Sequence, residues 1–460
     1  MRADHRTERN PTTPAYIHEP SRKTPVLTET EVLVVGSGPS GLAAAIAAAR
    51  EGVDTLLVER YGCFGGNITQ AMVESIGWYR HEGTVESPGI GLEFEAAARQ
   101  FSGERKEPQS ISQALEADTF KCVADQMVHQ AGITPFLHCL GVAPLLSKNT
   151  VTGVVTESKQ GRQAILAKAV IDCTGDADIA FRAGVPCTHP PEGQMEGVSV
   201  SFGCSGVDRR RFLAHVEHNP GTLGQWAQKT TGKENNLFSP YLADPFDRAR
   251  AAGEIPAEVL TAGFWSSLMD TGEATYMNMT YMPGLDATKI KDLTRGEMEG
   301  RKHAMAAIAA LRKYTPGFEN ARLRTFGSSL GVRESRKITG RHTMTGEQVQ
   351  NQARFEDSIG IFSEFLDAYG VVIIPTTGRY FQVPYGIMLP DSVENLLVAG
   401  RCVSGDKISH AALRQMMCCT VTGQGAGTAA AVAVKTGTTC RQVDIRQVQS
   451  ALQRQGVRIQ

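Results

Sequence analysis

The 460-residue sequence carries almost no net charge: 47 lysines and arginines stand against 48 aspartates and glutamates, a formal balance of -1 at pH 7. That balance gives no argument for a nucleic-acid partner or a charged membrane surface. No apolar run approaches the length that crosses a bilayer, and the N-terminus lacks the hydrophobic core of a secretory signal, so the chain reads as cytoplasmic with no membrane partner. Ten cysteines are present, but none is spaced as CxxC and none has metal-ligand spacing. Cys418 and Cys419 are adjacent, which suits neither a redox pair nor a zinc knuckle, so buried free thiols and no metal are expected. There is no internal repeat and no low-complexity tract. The length leaves room for two or three domains and a large core.

What is present is organised around Glu31–Arg50. The run Val32-Leu-Val-Val35 is apolar and β-branched, as a strand covered on both faces must be. It runs into Gly36-Ser-Gly-Pro-Ser-Gly41 and an alanine-rich helix. Gly36 permits the tight turn, Gly38 lets a pyrophosphate approach the backbone, and Gly41 lets the helix pack on the strand; the helix N-terminus supplies N–H groups and a positive dipole. A second strand, Val53–Val58, ends at Glu59. Strand, glycine turn, helix and second strand together mark a dinucleotide site. Glu59 is placed either to accept hydrogen bonds from a ribose or to cap a strand at the surface, and Arg60 either to contact the nucleotide or to face solvent.

Residues 1–28, rich in Pro, Thr, Arg and Glu without periodicity, read as a mobile arm, which could also embrace a neighbouring subunit in a homo-oligomer. Beyond Glu59, the loop Tyr61–Thr69 carries glycines that let its backbone press against something flat or charged. Amphipathic helices are expected at about 91–101 and 113–130, a strand at Ile133–His138, and a β-meander at Val151–Ser158 and Gln163–Ala167. The buried strand Ala169–Asp172 ends at Thr174-Gly-Asp176. From about 186 to 318 the composition changes, with short strands at Val198–Gly203 and Ala274–Tyr281 and a long helix at about Leu293–Lys313. Glycine-punctuated strands return from Arg322, and a helix is expected to start in Thr422-Gly-Gln-Gly-Ala-Gly427. Domains are therefore expected at 29–190, 191–320 (an inserted α+β substrate domain) and 321–460, with the first and last sharing one sheet.

Together, Gly36–Gly41, Val58–Gly66, Val170–Asp176, Gly331–Arg336, Pro384–Met388, Leu397–Arg401 and Gly423–Gly427 resemble the glutathione-reductase-type FAD-binding superfamily, and within it bacterial FAD-dependent oxidoreductases related to succinate dehydrogenase and fumarate reductase flavoproteins. The resemblance implies an α/β fold with a Rossmann-like FAD-binding domain. It implies that Gly36, Ser37, Gly38, Ser40 and Gly41 hold the FAD pyrophosphate and that Glu59 and Arg60 bind the adenosine ribose region. Gly65, Gly66, Asn67 and Thr69 would pass the flavin, Val142 would meet adenine through its backbone, and Gly175 and Asp176 would line the cleft. Where many relatives have Gly-Asp after the last strand, this chain has Gly400-Arg401, so Arg401 faces either the cofactor or the substrate space. The helix opening at Gly423 would aim the N–H groups of Gln424, Gly425 and Ala426 at the flavin, where reduction places negative charge; close helix packing is the alternative reading of the same run.

Only one stretch has the full dinucleotide context and no CxxC accompanies it, which disfavours a disulfide reductase. Dehydrogenation of a small organic substrate is the function expected, with a fumarate-reductase-like ene reduction or a flavin monooxygenase as alternatives and an electron-transfer subunit as the non-enzyme reading. The partners are then a small-molecule substrate and an electron acceptor or donor that the sequence does not name. Such chemistry needs a proton-transfer group and a clamp. The candidates are His410, which titrates in a suitable range or serves structurally; Arg414, an anion clamp or a solvated charge; Arg333, within a dense charge group with Glu334 and Arg336; and Tyr385, which either bonds substrate or packs.

Overall fold

The computed structural model describes residues 19–105, 110–218, 240–256, 259, 265, 267–368, 371–373 and 378–460. The first eighteen residues of the expected arm lie outside them, and the rest of the arm is not all arm, because strand β1 (Val26–Val35) already begins at Val26. β1 leads through the glycine turn into α1 (Pro39–Arg50), then β2 (Thr55–Val58). Helices α2 (Ile90–Ser102) and α3 (Ala117–Gln130) follow, and the chain returns through β3 (Thr134–Phe136), β4 (Leu140–Ser147), β5 (Thr150–Ser158) and β6 (Gly161–Asp172).

These strands form a sheet ordered β3-β2-β1-β6-β5-β4, and the late strand Leu396–Val398 also joins it, on β6. The pairs β1–β2, β1–β6, β2–β3 and Leu396–Val398 with β6 are parallel, while β4–β5 and β5–β6 form the antiparallel meander. The fold is thus α/β with a largely parallel core, and Val32–Val35 are covered on both faces, as an apolar β-branched run requires.

One face of the sheet is held by two helices that touch almost backbone to backbone. α1 buries ten consecutive residues, Pro39 to Ala48. Across it lies the helix Met416–Thr436, where a Cβ at Gly423 would fall 2.1 Å from the Ser40 carbonyl oxygen and one at Gly427 would fall 2.0 Å from that of Ala44. The glycine–alanine run is therefore a packing seam. The helix starts seven residues before Gly423, so Gln424, Gly425 and Ala426 sit in its interior; this corrects the expectation that their N–H groups are unpaired. It is also long and apolar enough, by length and composition, to cross a membrane, contrary to the sequence reading, but 94% of its most apolar window is buried inside the protein.

The inserted region builds a second sheet, antiparallel, in the order Arg322–Phe326, Phe202–Ser205, Ala274–Met277, Ser267–Leu268. The helix Ile290–Tyr314 backs it through a core that includes Phe202, Phe212, Phe318, Ala304, Ile308 and Leu311. Arg322–Phe326 pairs with Phe202–Ser205, so the pairing of the insertion extends past the expected division at 320. Among the described strands after the insertion, the expectation of one shared sheet holds only for Leu396–Val398: Val371–Ile373 pairs with Leu366–Ala368, and Ser358–Ser363 with Tyr380–Pro384, each away from the main sheet. A bridge between Ser199 and Gly331 draws the segment after the insertion against the second sheet, carrying Val332 and Arg333 with it.

Candidate functional site

A cavity of about 870 Å³ runs from the carboxyl ends of β1, β2 and β6 to the second sheet, the position where open parallel sheets bind ligands. Its first wall is the glycine turn: Gly36, Ser37, Gly38, Pro39 and Ser40 line it. The three motif glycines have different reasons. A Cβ at Gly36 would meet the Cys173 carbonyl oxygen at 2.5 Å and one at Gly41 would meet that of Gly36 at 1.8 Å, so protein packing requires both. At Gly38 a Cβ would meet nothing nearer than the Gly66 Cα, at 4.0 Å, and would project toward the cavity. Gly38 thus leaves its backbone open to whatever the cavity holds, as close approach of a pyrophosphate requires.

Glu59, buried at the end of β2, holds this turn in shape. One carboxylate oxygen accepts from the Ser37 N–H at 2.9 Å and from the Ser37 hydroxyl at 2.7 Å, and the other accepts from the Tyr61 N–H at 2.9 Å. Arg60 lines the cavity with its guanidinium 4.7 Å from the Tyr61 ring centroid. The following loop presses on the turn as its glycines suggest: the Gly65 N–H donates to the Ser37 carbonyl at 2.9 Å, and Gly66 and Asn67 reach the lining. Gly65, Thr69 and Gly41 do not line the cavity. The Thr69 hydroxyl donates within its own loop, to the Phe64 carbonyl at 2.7 Å. On β4 the lining residues are Cys139, Leu140 and Gly141, not Val142; a break in register between Gly141 and Ala143 displaces the contact from the expected position.

Asp172, at the end of β6, accepts four hydrogen bonds from Thr174, Ile179 and Ala180 and so fixes the turn that presents Gly175 and Asp176. Asp176 meets Arg401 at 2.8 Å and the Ser335 hydroxyl at 2.6 Å, and Arg401 also donates to Ser335 at 2.9 Å. Burial alone would raise the Asp176 carboxyl, but Arg401, Ser335 and Arg60 outweigh it and hold the carboxyl below its ordinary range. Arg336 joins this network through Asp178, at 2.6 Å. Glu334 and Lys337 form a buried ion pair at 2.7 Å, with Glu334 also accepting from the Glu196 N–H at 3.1 Å. Residues 334–337 therefore pin the two halves of the cavity together.

The far end is walled by the insertion. Tyr276, on the strand Ala274–Met277, and Asn278 and Thr280, just after it, all line it. Tyr276 stands at φ 47° where the register between the strands breaks, a conformation uncommon for an aromatic residue. Tyr281 lines the same wall; its phenol oxygen accepts the Gly197 N–H at 3.1 Å, and burial, more than any neighbouring charge, raises its pKa. Arg333 enters here, donating through one nitrogen to the Gly197 carbonyl and the Ser199 hydroxyl, both at 2.8 Å. Arg414 enters from the other side, donating to the Asp367 carbonyl oxygen with the Asp367 carboxylate 3.6 Å away. Gln415 and Met416, at the start of the long helix, also reach the lining; the N–H groups of that helix's first turn have no carbonyl within the helix to bond.

Two sequence candidates for catalysis lie outside the cavity. His410 is buried, and as the carbonyl of Arg333 can only accept, the imidazole Nε2 must carry the proton it donates across 3.1 Å. Burial, reinforced by Lys337, Arg414 and Arg401, pushes its pKa well below the ordinary value, so it is neutral and structural. Tyr385 is buried with its hydroxyl on the Cys440 carbonyl at 2.7 Å, fixing packing rather than meeting a substrate. Gln424 likewise serves structure, accepting the Ile90 N–H at 2.9 Å and donating to Gln455. The insertion residues were missed as individual positions, although the alternation Tyr276, Asn278, Thr280 is a visible signal. Among the described residues no cluster of His, Cys, Asp and Glu could hold a metal ion.

Comparison with known proteins gives this geometry a context. The model of the family described as FAD dependent oxidoreductase matches residues 31–452. Digeranylgeranylglycerophospholipid reductase 2 of Methanopyrus kandleri is 29% identical over 223 residues, 45% of this chain and 54% of that protein. Thiamine thiazole synthase of Saccharolobus islandicus is 29% identical over 163 residues, 33% of this chain and 57% of that protein. This chain thus spans little more than half the length of these curated relatives. The solved structure of a geranylgeranyl bacteriochlorophyll reductase-like protein from Thermoplasma acidophilum is 14% identical, with a TM-score of 0.48, over 93% of this chain and 83% of that one.

Proposed function

Since the chain belongs to the FAD dependent oxidoreductase family and is an enzyme with FAD as its cofactor, we propose that it dehydrogenates a small organic substrate, hydride passing from a substrate carbon to the flavin. One observation carries this reading: a single cavity joins the glycine turn after β1 to a chamber walled by the inserted sheet, so cofactor and substrate have adjoining places. FAD, when bound, supplies the two-electron chemistry, and the protein supplies position and charge.

In this reading the dinucleotide half is of the glutathione-reductase type. Gly38 and Ser40 would hold the pyrophosphate, with Gly36, Gly41 and Ser37, whose N–H and hydroxyl are both given to Glu59, shaping the turn; Glu59 and Arg60 would face the ribose, and Cys139–Gly141 the adenine. Gly66 and Asn67 run along the cofactor, and Asp176 with Arg401 line its middle. The helix Met416–Thr436, whose first residue lines the cavity, would offer its positive end to the charge that reduction places on the flavin. The substrate lies against Tyr276, Asn278, Thr280 and Tyr281.

An ene-type reduction is the second reading. Tyr281 favours it by position: it lines the chamber, and its hydroxyl, which only accepts from the Gly197 N–H, has its own proton free to give to a carbanion. The test is anaerobic mixing of the purified yellow protein with a panel of small organic acids and alcohols and, separately, with NADH. Bleaching of the flavin by an organic compound supports dehydrogenation. Bleaching by NADH alone, reversed by an unsaturated acceptor, replaces it with the reductive reading.

A further inference from the structure

We infer that the far end of the cavity is an anion subsite, formed by Arg333 and Arg414 beside Tyr281, that holds the substrate by a carboxylate. The inference rests on the reading above and names the class of molecule that the chamber takes.

Apart from the exposed Arg60 at the nucleotide end, the arginines of this cavity fall into two kinds. Arg401 has a close carboxylate, Asp176 at 2.8 Å. Arg333 has none among the described residues: its partners are two neutral oxygens, both on Nη1, and the Tyr281 ring, whose centroid lies 5.4 Å from the guanidinium carbon. Arg414 bonds a backbone carbonyl through Nη2, and its buried Nε has no partner. The two are linked through His410, whose imidazole donates to the Arg333 carbonyl at 3.1 Å and whose own carbonyl accepts the Arg414 N–H at 3.0 Å, and both arginines line the cavity.

Arg333, half-buried, has no counter-ion among the described residues, and Arg414 has only Asp367, 3.6 Å away. A carboxylate repairs this, since the planar guanidinium forms paired, charge-assisted hydrogen bonds to it. The acids nearby do not already do so. Glu297 accepts from Arg301 and from the Leu330 N–H, Glu196 has a partner of its own, and Asp367 stands 3.6 Å from Arg414 and offsets only that charge. Asp367 and Glu196 on the same lining offset part of the arginines' charge, which suits a singly charged carboxylate better than a phosphate dianion. Leu330, Val332 and Ala368 on the same lining give a carbon skeleton an apolar surface.

The holoprotein is titrated with benzoate, succinate, benzamide, succinamide and inorganic phosphate, following the visible flavin spectrum. The carboxylates are expected to perturb it and the amides not. Arg333→Gln and Arg414→Gln should each weaken carboxylate binding about tenfold or more at unchanged flavin content, since a charged hydrogen bond contributes about 1.5–3 kcal/mol. Arg333→Lys should recover part of the loss. The inference is overturned if amides bind as well as their acids, if phosphate binds in preference to both carboxylates, if no carboxylate perturbs the wild-type spectrum, or if flavin-loaded glutamine variants bind as the wild type does. The wild-type comparison needs no variant, so a misfolded mutant does not block the test. Tight carboxylate binding without bleaching by any organic acid would instead count against dehydrogenation while leaving the subsite in place.

Discussion

Replacing Gly38 by alanine separates ligand contact from folding. Gly38 has φ -62° and ψ -177°, which any residue adopts, and its added Cβ would have no protein atom nearer than 4.0 Å. The substitution restricts the unfolded chain, which stabilises by about 0.4–1 kcal/mol. It also puts a poor N-cap at α1, which costs a similar amount. The FAD-free protein should therefore keep its stability to within about 1 kcal/mol. The methyl group, however, projects into the cavity where the pyrophosphate is proposed to lie, and FAD affinity should fall at least about tenfold, or about 1.4 kcal/mol. Gly41→Ala is the contrast. Its Cβ would sit 1.8 Å from one backbone atom of Gly36 and 2.8 Å from another, so backbone must move, and the folded state should lose about 3 kcal/mol or more. Urea unfolding of both FAD-free variants, paired with FAD titration by flavin fluorescence, reads the two effects apart. Wild-type FAD affinity in Gly38→Ala, or a stability loss there as large as in Gly41→Ala, would refute the reasoning.

Two further outcomes follow from buried groups. Glu74 is fully buried between the Thr275 hydroxyl and the Ala117 N–H, and burial lifts its pKa from the ordinary 4.5 to about 7. Between those values the folded state binds the proton and the unfolded state does not, so this group's contribution to stability should decline as pH rises from about 4.5 to about 7, and Glu74→Gln should flatten that slope in urea midpoints measured across the range. A slope unchanged by the substitution would reject the assignment. His410→Asn should lower stability by about 1–3 kcal/mol through the unmet Arg333 carbonyl and raise the substrate KM more than it lowers kcat; a vanished kcat with unchanged KM would return His410 to the chemistry.

The parts legible in the sequence are those where one local rule decides. Val32–Val35, the glycine turn and Ala169–Asp172 were readable because a strand covered on both faces must be continuously apolar. The start of the long helix was not. Gln415 makes no side-chain cap, and Met416–Thr422 carries no start signal, whereas the glycines at 423, 425 and 427 look like a turn until α1 is set against them. The catalytic candidates divide for a related reason. Arg333 and Arg414 reach the cavity while His410, on the seven-residue helix Lys407–Leu413, and Tyr385, on the four-residue 3-10 helix Tyr385–Met388, turn into the core, and elements that short carry no periodicity that distinguishes the two directions. Arg322–Phe326 reads as a returning core strand, yet its partner, Phe202–Ser205, lies far away in sequence, and pairing across such a separation leaves no local trace.

The claim that FAD and substrate react side by side in this one cavity is tested most directly by anaerobic single-turnover reduction of the bound flavin. The compound that bleaches it is compared with the same compound deuterated at the carbon to be oxidised. Dehydrogenation by hydride transfer predicts bleaching that slows several-fold on deuteration and slows further in Arg333→Gln. Reduction by NADH alone, with no organic compound able to bleach the flavin, would contradict it.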